Sequence, residues 1–221
     1  MKWINTKVEF TWDSKKQKYV ETDVQGYHYS GPIALCGGGG GWESFGSGDL
    51  VSISGSFQGT PHVSMSAGDV VLSANITGLP DTDVVSEYLL WNYTGSAGIS
   101  SQVTLATSSV ESITTHSRAP SDGGMFSLVC ENGRTDDILL TEAHPLLVWS
   151  GSADENVTGS GTWFFEYVED IGTDYKLLSS SLEPIEITSI TEFSGSESSS
   201  FFRFDVEPYD VYFVEGILVH N

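Results

Sequence analysis

The sequence predicts an all-β protein, and three observations carry the prediction. Apolar and polar residues alternate with a period of two, as in Lys7-Val8-Glu9-Phe10-Thr11-Trp12, the pattern of a strand with one covered face. Such runs follow one another with turn residues between them. No stretch sustains the 3.6-residue period of an amphipathic helix. Composition agrees: 39% hydrophobic and 12% aromatic residues place the chain among globular proteins. Only 18% is charged, so the polar surface must come largely from Ser, Thr, Asn and the 24 Gly, as in turn-rich β proteins.

The 221 residues suffice for one domain with an appendage. Residues 1–35 read as a β-hairpin arm. Lys7 to Trp12 is its first strand, Asp13-Ser14-Lys15-Lys16 a polar turn, and Lys18-Tyr19-Val20-Glu21-Thr22 the returning strand. The Tyr-rich segment Gly26-Tyr27-His28-Tyr29-Ser30-Gly31-Pro32 follows, closed by a turn. A block this short buries little alone and needs a partner surface. Residues 36–49, with five consecutive glycines from Gly37 to Gly41, read as a flexible linker. A phosphate-cradling loop is excluded, since no Gly-Lys-Ser/Thr ending and no helix signal follow.

Residues 50–221 read as the main domain. Its expected strands are Val70–Leu72, Val84–Leu90, Gln102–Leu105, Val110–Ile113, Met125–Cys130, Ile138–Leu140, Leu146–Trp149 and Trp163–Val168. Lys176–Leu178, Ile185–Ile190, Phe201–Val206, Tyr212–Val214 and an apolar run through Ile217 and Val219 complete them. Ser179–Ser181 and Ser194–Ser200 read as loops.

The formal charge is −21, unevenly placed. Lys2, Lys7, Lys15, Lys16 and Lys18 against Glu9 and Asp13 give the first eighteen residues +3, which leaves −24 on the rest. So acidic a body is repelled by nucleic acid and anionic membrane, so neither is an expected partner; the basic N-terminus suits docking on an acidic protein surface, and an ordinary solvated arm is the alternative. Cys36 and Cys130 form no disulfide framework and match no metal-site spacing, and no cofactor is expected. No apolar h-region opens the chain and no run reaches membrane-spanning length. The Asn-X-Thr sequons at Asn75, Asn92 and Asn156 read as chance.

Chemistry concentrates at two places. At the C-terminal end stands His220-Asn221. An Asn carboxamide nitrogen can attack its own backbone carbonyl, close a succinimide and cut the chain after itself. A neighbouring imidazole is a natural acid/base for that step. Upstream, Thr141 and His144 stand three residues apart in Thr141-Glu142-Ala143-His144-Pro145, a spacing that by itself reads as a strand end with a capped turn.

Together, Tyr212-Phe213-Val214-Glu215-Gly216-Ile217-Leu218-Val219-His220-Asn221 and the Thr-x-x-His of Thr141–His144 resemble the motifs of Hint domains, the all-β fold of inteins and of Hedgehog autoprocessing modules. Ala67-Gly68-Asp69-Val70-Val71-Leu72 is similar to a strand near the start of that fold, and Val110–His116 and Trp163–Leu178 fall in family order. The resemblance implies an intein-like β module over residues 50–221, with Thr141, His144, His220 and Asn221 in catalytic positions. It also implies an N-terminal nucleophile, Cys or Ser, that starts an acyl shift. The nearest candidate is Ser56 in Ile53-Ser54-Gly55-Ser56-Phe57, with Ser54 next and Cys36 too far upstream. The absent Cys implies degenerate or lost self-processing. An active autoprotease working by N-to-O acyl shift or Asn cyclisation is the alternative, with Asn221 then the expected scar of cleavage. An unrelated β-sandwich adhesin is the third reading.

The arm looks like the opening of certain tailed-phage virion proteins. This implies a virion location, cytoplasmic before assembly, and other virion structural proteins as partners in an oligomeric assembly. Among the other histidines, His28 reads as packed in the hairpin, and His62 and His116 as residues flanking strands.

Overall fold

The structure is a computed structural model. It describes residues 2–13, 18–29, 45–46, 49–52, 59–80, 85–96, 98–118, 124–131, 138–151, 160–192 and 199–221. The chain divides into two units, Met1–Gly38 and Gly39–Asn221.

In the first unit, β1 (Lys2–Asp13) and β2 (Lys18–Tyr29) form an antiparallel pair running from Asp13↔Lys18 to Lys2↔Tyr29. The returning strand is longer than expected, because Gly26 to Tyr29 continues it. Two register shifts, between Asn5 and Lys7 and between Glu9 and Phe10, interrupt the ladder. The expected turn at Ser14–Lys16 lies outside the described residues.

The second unit begins with β3 (Phe45–Gly46), β4 (Leu50–Ser52) and β5 (Gly59–Pro61), followed by a 3-10 turn at His62–Ser64. Next come β6 (Val70–Ile76), one helical turn α1 (Val85–Tyr88), β7 (Asn92–Ser96) and the long β8 (Val103–Arg118). The strands β9 (Met125–Cys130), β10 (Ile138–Thr141), β11 (Pro145–Gly151) and β12 (Ser160–Tyr167) occupy the middle. The end is built from β13 (Lys176–Leu178), β14 (Pro184–Glu192), β15 (Ser199–Glu207), β16 (Val211–Val214) and β17 (Ile217–His220). Pairing is antiparallel throughout and runs β5-β4-β16-β17-β11-β13-β14-β9-β10-β3-β15-β8-β6, with β12 on β11 and β7 on β12.

The strands β16, β17 and β11 of the second unit are covered on both faces. Successive side chains of a strand point to opposite faces, and here both faces meet a core. Tyr212, Val214, Ile217, Val219, Leu146 and Val148 enter one apolar cluster. Val211, Phe213, Leu218, Leu147 and Trp149 enter another, around Trp163 and Phe165. This double burial explains the nearly continuous apolar run at the C-terminal end, where a half-exposed strand would alternate. The β16–β17 connection turns on Glu215 (φ 49°) and Gly216 (φ 78°). Two consecutive positive φ values match the tight hairpin turn whose twist suits the flanking strands.

Three expectations need correction. The segment expected as a strand over Val84–Leu90 carries the helical turn α1 instead; so short an apolar run has no period to separate helix from strand. The two strands expected at Gln102–Leu105 and Val110–Ile113 are one strand, β8. Its Ser- and Thr-rich middle reads as a turn, but suits a strand exposed on one face. The linker expected over residues 36–49 contributes Phe45, Gly46 and Asp49 to the module: Phe45 is fully buried in the first core, and β3 pairs with both β10 and β15.

Candidate functional site

Thr141 ends β10, and His144 follows after a two-residue turn closed by the His144 N–H donating to the Thr141 carbonyl (3.0 Å). The chain then enters β11, whose Leu146 pairs with Val219 of β17. Antiparallel register carried two residues further sets His144 opposite Asn221. On the other side of β17, Val211 pairs with His220, and the Asn221 N–H donates to the Asp210 carbonyl (3.0 Å). The central sheet therefore brings Thr141, His144, His220 and Asn221 together from positions nearly eighty residues apart in the chain. Ser56 and its alternative Ser54 lie outside the described residues.

All four residues are buried. The His144 ring meets Phe45 edge-on, with centroids 4.1 Å apart. The His220 ring lies 3.8 Å from that of Tyr88 and 5.7 Å from that of Phe165. Among the described residues, none of the four ring nitrogens has a hydrogen-bond partner of good geometry, although the backbone of His220 beside His144, and of Asn221 beside His220, pulls each pKa upward. Burial dominates, because an apolar surrounding penalises the charged form. It holds His144 well below the usual imidazole range, helped by the repulsion that a protonated His220 would exert and by Arg203. It brings His220 down to about 3, with Arg203 adding to the effect. Both rings are neutral at physiological pH.

The Asn221 carboxamide has two orientations. In one, Nδ2 donates to Asp205 Oδ1 over 3.4 Å. In the other, Nδ2 donates to the Asp210 carbonyl (2.5 Å) and Oδ1 accepts from the Val206 N–H (2.9 Å). Two short bonds to rigid backbone outweigh one long bond to a side chain, so the second is the orientation of the site. Tyr88 supports the same corner: its hydroxyl donates to Asp210 Oδ2 (3.3 Å).

His62 belongs to this neighbourhood as well, although the sequence marks it only as a residue flanking a strand. It is fully buried, stacks on Phe45 with centroids 5.4 Å apart, and lies 4.8 Å from the ring of Phe204. Its Nδ1 lies 2.8 Å from the Asp49 carbonyl, which can only accept, so Nδ1 carries the proton and Nε2 is bare. Burial lowers its pKa to about 4, against the upward pull of the Asp49 bond. Asp49 is itself pushed up to about 7 by burial, in spite of the backbone N–H groups of Leu139 and Gly46 that favour its charge. A glycine-rich stretch that reads as linker gives no warning of Asp49. Among the described residues, no group of three or more His, Cys, Asp or Glu is arranged to hold a metal ion.

Chemically, the site has a carboxamide next to its own carbonyl, a hydroxyl, and buried neutral imidazoles able to accept a proton or donate one weakly. No family model matches the chain, and no curated protein matches it. Solved structures do. The solution structure of a bacterial intein-like domain from Clostridium thermocellum is similar to 81% of this chain over 99% of its own length, with a TM-score of 0.55 at 17% identity. A variant of the Ssp DnaB mini-intein covers 80% of this chain and 92% of its own, with a TM-score of 0.50 at 14% identity. The chain has the Hint-type, intein-like fold.

Proposed function

We propose that this chain is a structural protein of a tailed-phage particle carrying a Hint-type module whose self-cleavage is attenuated. The observation that supports attenuation is the clamped Asn221 carboxamide. Cyclisation needs Nδ2 to swing onto its own carbonyl carbon, yet Nδ2 and Oδ1 are both committed to backbone partners on Asp210 and Val206. Breaking the chain also requires a proton for the departing amine. With a pKa of about 3, His220 is protonated in roughly one molecule in 10⁴ at pH 7, so it is a poor acid for that step. The virion assignment is supported by the likeness of the arm to phage proteins and by the +3 charge of its first eighteen residues in an otherwise acidic chain.

The test is a reporter protein fused after Asn221, followed by intact mass over several days. The expected result is an uncut fusion at pH 7. Release that disappears in Asn221→Ala and His220→Ala would overturn attenuation and establish the active reading. One observation favours that second reading: buried unpartnered ring nitrogens are costly, and sites retain them where a reacting group is to be met. Ser56→Ala and Ser54→Ala are then the variants that locate an N-terminal nucleophile. For the arm, deleting residues 1–35 should abolish incorporation into particles. A deletion that assembles normally removes the docking role.

A further inference from the structure

The buried carboxylate of Asp49 has no place in the chemistry above, yet it joins every part of the upstream half of the site. Its Oδ2 accepts from the Gly46 N–H of β3 (2.9 Å) and from the Leu139 N–H of β10 (3.2 Å), two residues before Thr141. Its own N–H donates to the Gly46 carbonyl (3.2 Å). Its carbonyl accepts from the His62 N–H (3.2 Å) and from His62 Nδ1 (2.8 Å). One residue thus ties two neighbouring strands and the 62–64 turn to each other. The close approach is built in. A Cβ on Gly46 would stand 3.0 Å from Leu139 Cβ and 3.1 Å from Asp49 Oδ2, so glycine is what lets the carboxylate bridge the strands.

The bridge matters because of what β3 carries. Phe45 lies between two imidazoles, stacked on His62 and edge-on to His144. Moving β3 by a fraction of an ångström would change the packing of both rings.

We propose that Asp49 is a positioning residue of the site: its carboxylate pins β3 to β10 so that Phe45 fixes the ring of His144, and its carbonyl locks His62 in the Nδ1–H tautomer. The inference deepens the reading of a Hint-type site, but its test does not depend on cleavage. The alternative is a buried carboxylate that merely satisfies a turn. A turn-only role would alter stability and leave the two rings unchanged.

The experiment is nitrogen-15 NMR of the histidine side chains in the full chain at pH 7, for wild type, Asp49→Asn and Asp49→Ala. Wild type is expected to show His62 protonated at Nδ1 and bare at Nε2. Asp49→Asn retains a side-chain acceptor oxygen between β3 and β10 and should leave the His144 resonances in place. Asp49→Ala keeps the backbone carbonyl, so the His62 tautomer should persist, but it should shift the His144 resonances through the displaced Phe45 ring. If Asp49→Ala does not fold, Gly46→Ala, which crowds the same carboxylate, should shift the His144 resonances likewise. Unchanged His144 signals in a folded Asp49→Ala or Gly46→Ala protein, or an Nε2–H tautomer of His62 in wild type, would overturn the proposal. Failure of the cleavage reading would appear only in the fusion assay and would leave these spectra untouched.

Discussion

Three histidines whose charge ordinarily changes near neutrality are held uncharged here, and this shapes the chemistry of the site. His62, His144 and His220 are buried among Phe45, Phe165, Phe204, Tyr88 and Tyr212, largely apolar surfaces that replace little of the water an imidazolium needs. NMR titration should find all three neutral throughout pH 5–8, with His62 titrating near 4 and His220 near 3. An imidazole among them that titrates above 6 would contradict the burial argument. Asp49 should behave oppositely, its side-chain carboxyl carbon titrating near 7. Packing at this scale is equally unforgiving. Trp163 is fully buried, and Trp163→Ala should cost about 3–5 kcal/mol in chemical denaturation.

Among the elements, the hairpin of β16 and β17 matters most, because it feeds both cores and ends at His220-Asn221. Its turn demands a residue at φ 78°, met by Gly216. A side chain there is strained, so Gly216→Ala should destabilise the chain by about 1–2 kcal/mol. The loss should appear as a lower denaturation midpoint with an unchanged slope. The β6 strand reaches the same hairpin from outside: Ser73 Oγ donates to the Val211 carbonyl (2.6 Å), between buried neighbours. Such a bond contributes about 1 kcal/mol net, and Ser73→Ala would also leave that carbonyl without this donor.

For the molecule as a whole, these groups set a pH dependence whose sign can be worked out. Folding depresses the three histidines from 6.5. Between pH 6.5 and about 4 the unfolded chain therefore holds protons that the folded chain does not, and stability falls on acidification. Folding raises Asp49 from 3.8 to about 7, so over that window its contribution runs the other way and declines as pH rises. Three groups outweigh one. Denaturation midpoints measured in high salt, which screens the self-repulsion of a −21 chain, should be lower at pH 4.5 than at pH 6.5. Equal midpoints at the two values would mean that the histidines are not buried neutral.

Much of this protein was readable before any coordinates. The strand character and the spacing of Thr141 with His144 and of His220 with Asn221 are local. Each depends on residue type and short spacing, which a sequence displays directly. The role of Phe45, Gly46 and Asp49 was not readable, because five glycines upstream announce a linker, and β3 becomes a strand only by pairing with residues 140 and 202. His62 was hidden for the same reason, its partners arriving from β3, β15 and β16. The amino-acid order by itself determined which groups could do chemistry. Tertiary structure alone decided their protonation and the clamp on Asn221, since desolvation and hydrogen bonding depend on which distant strands cover a side chain.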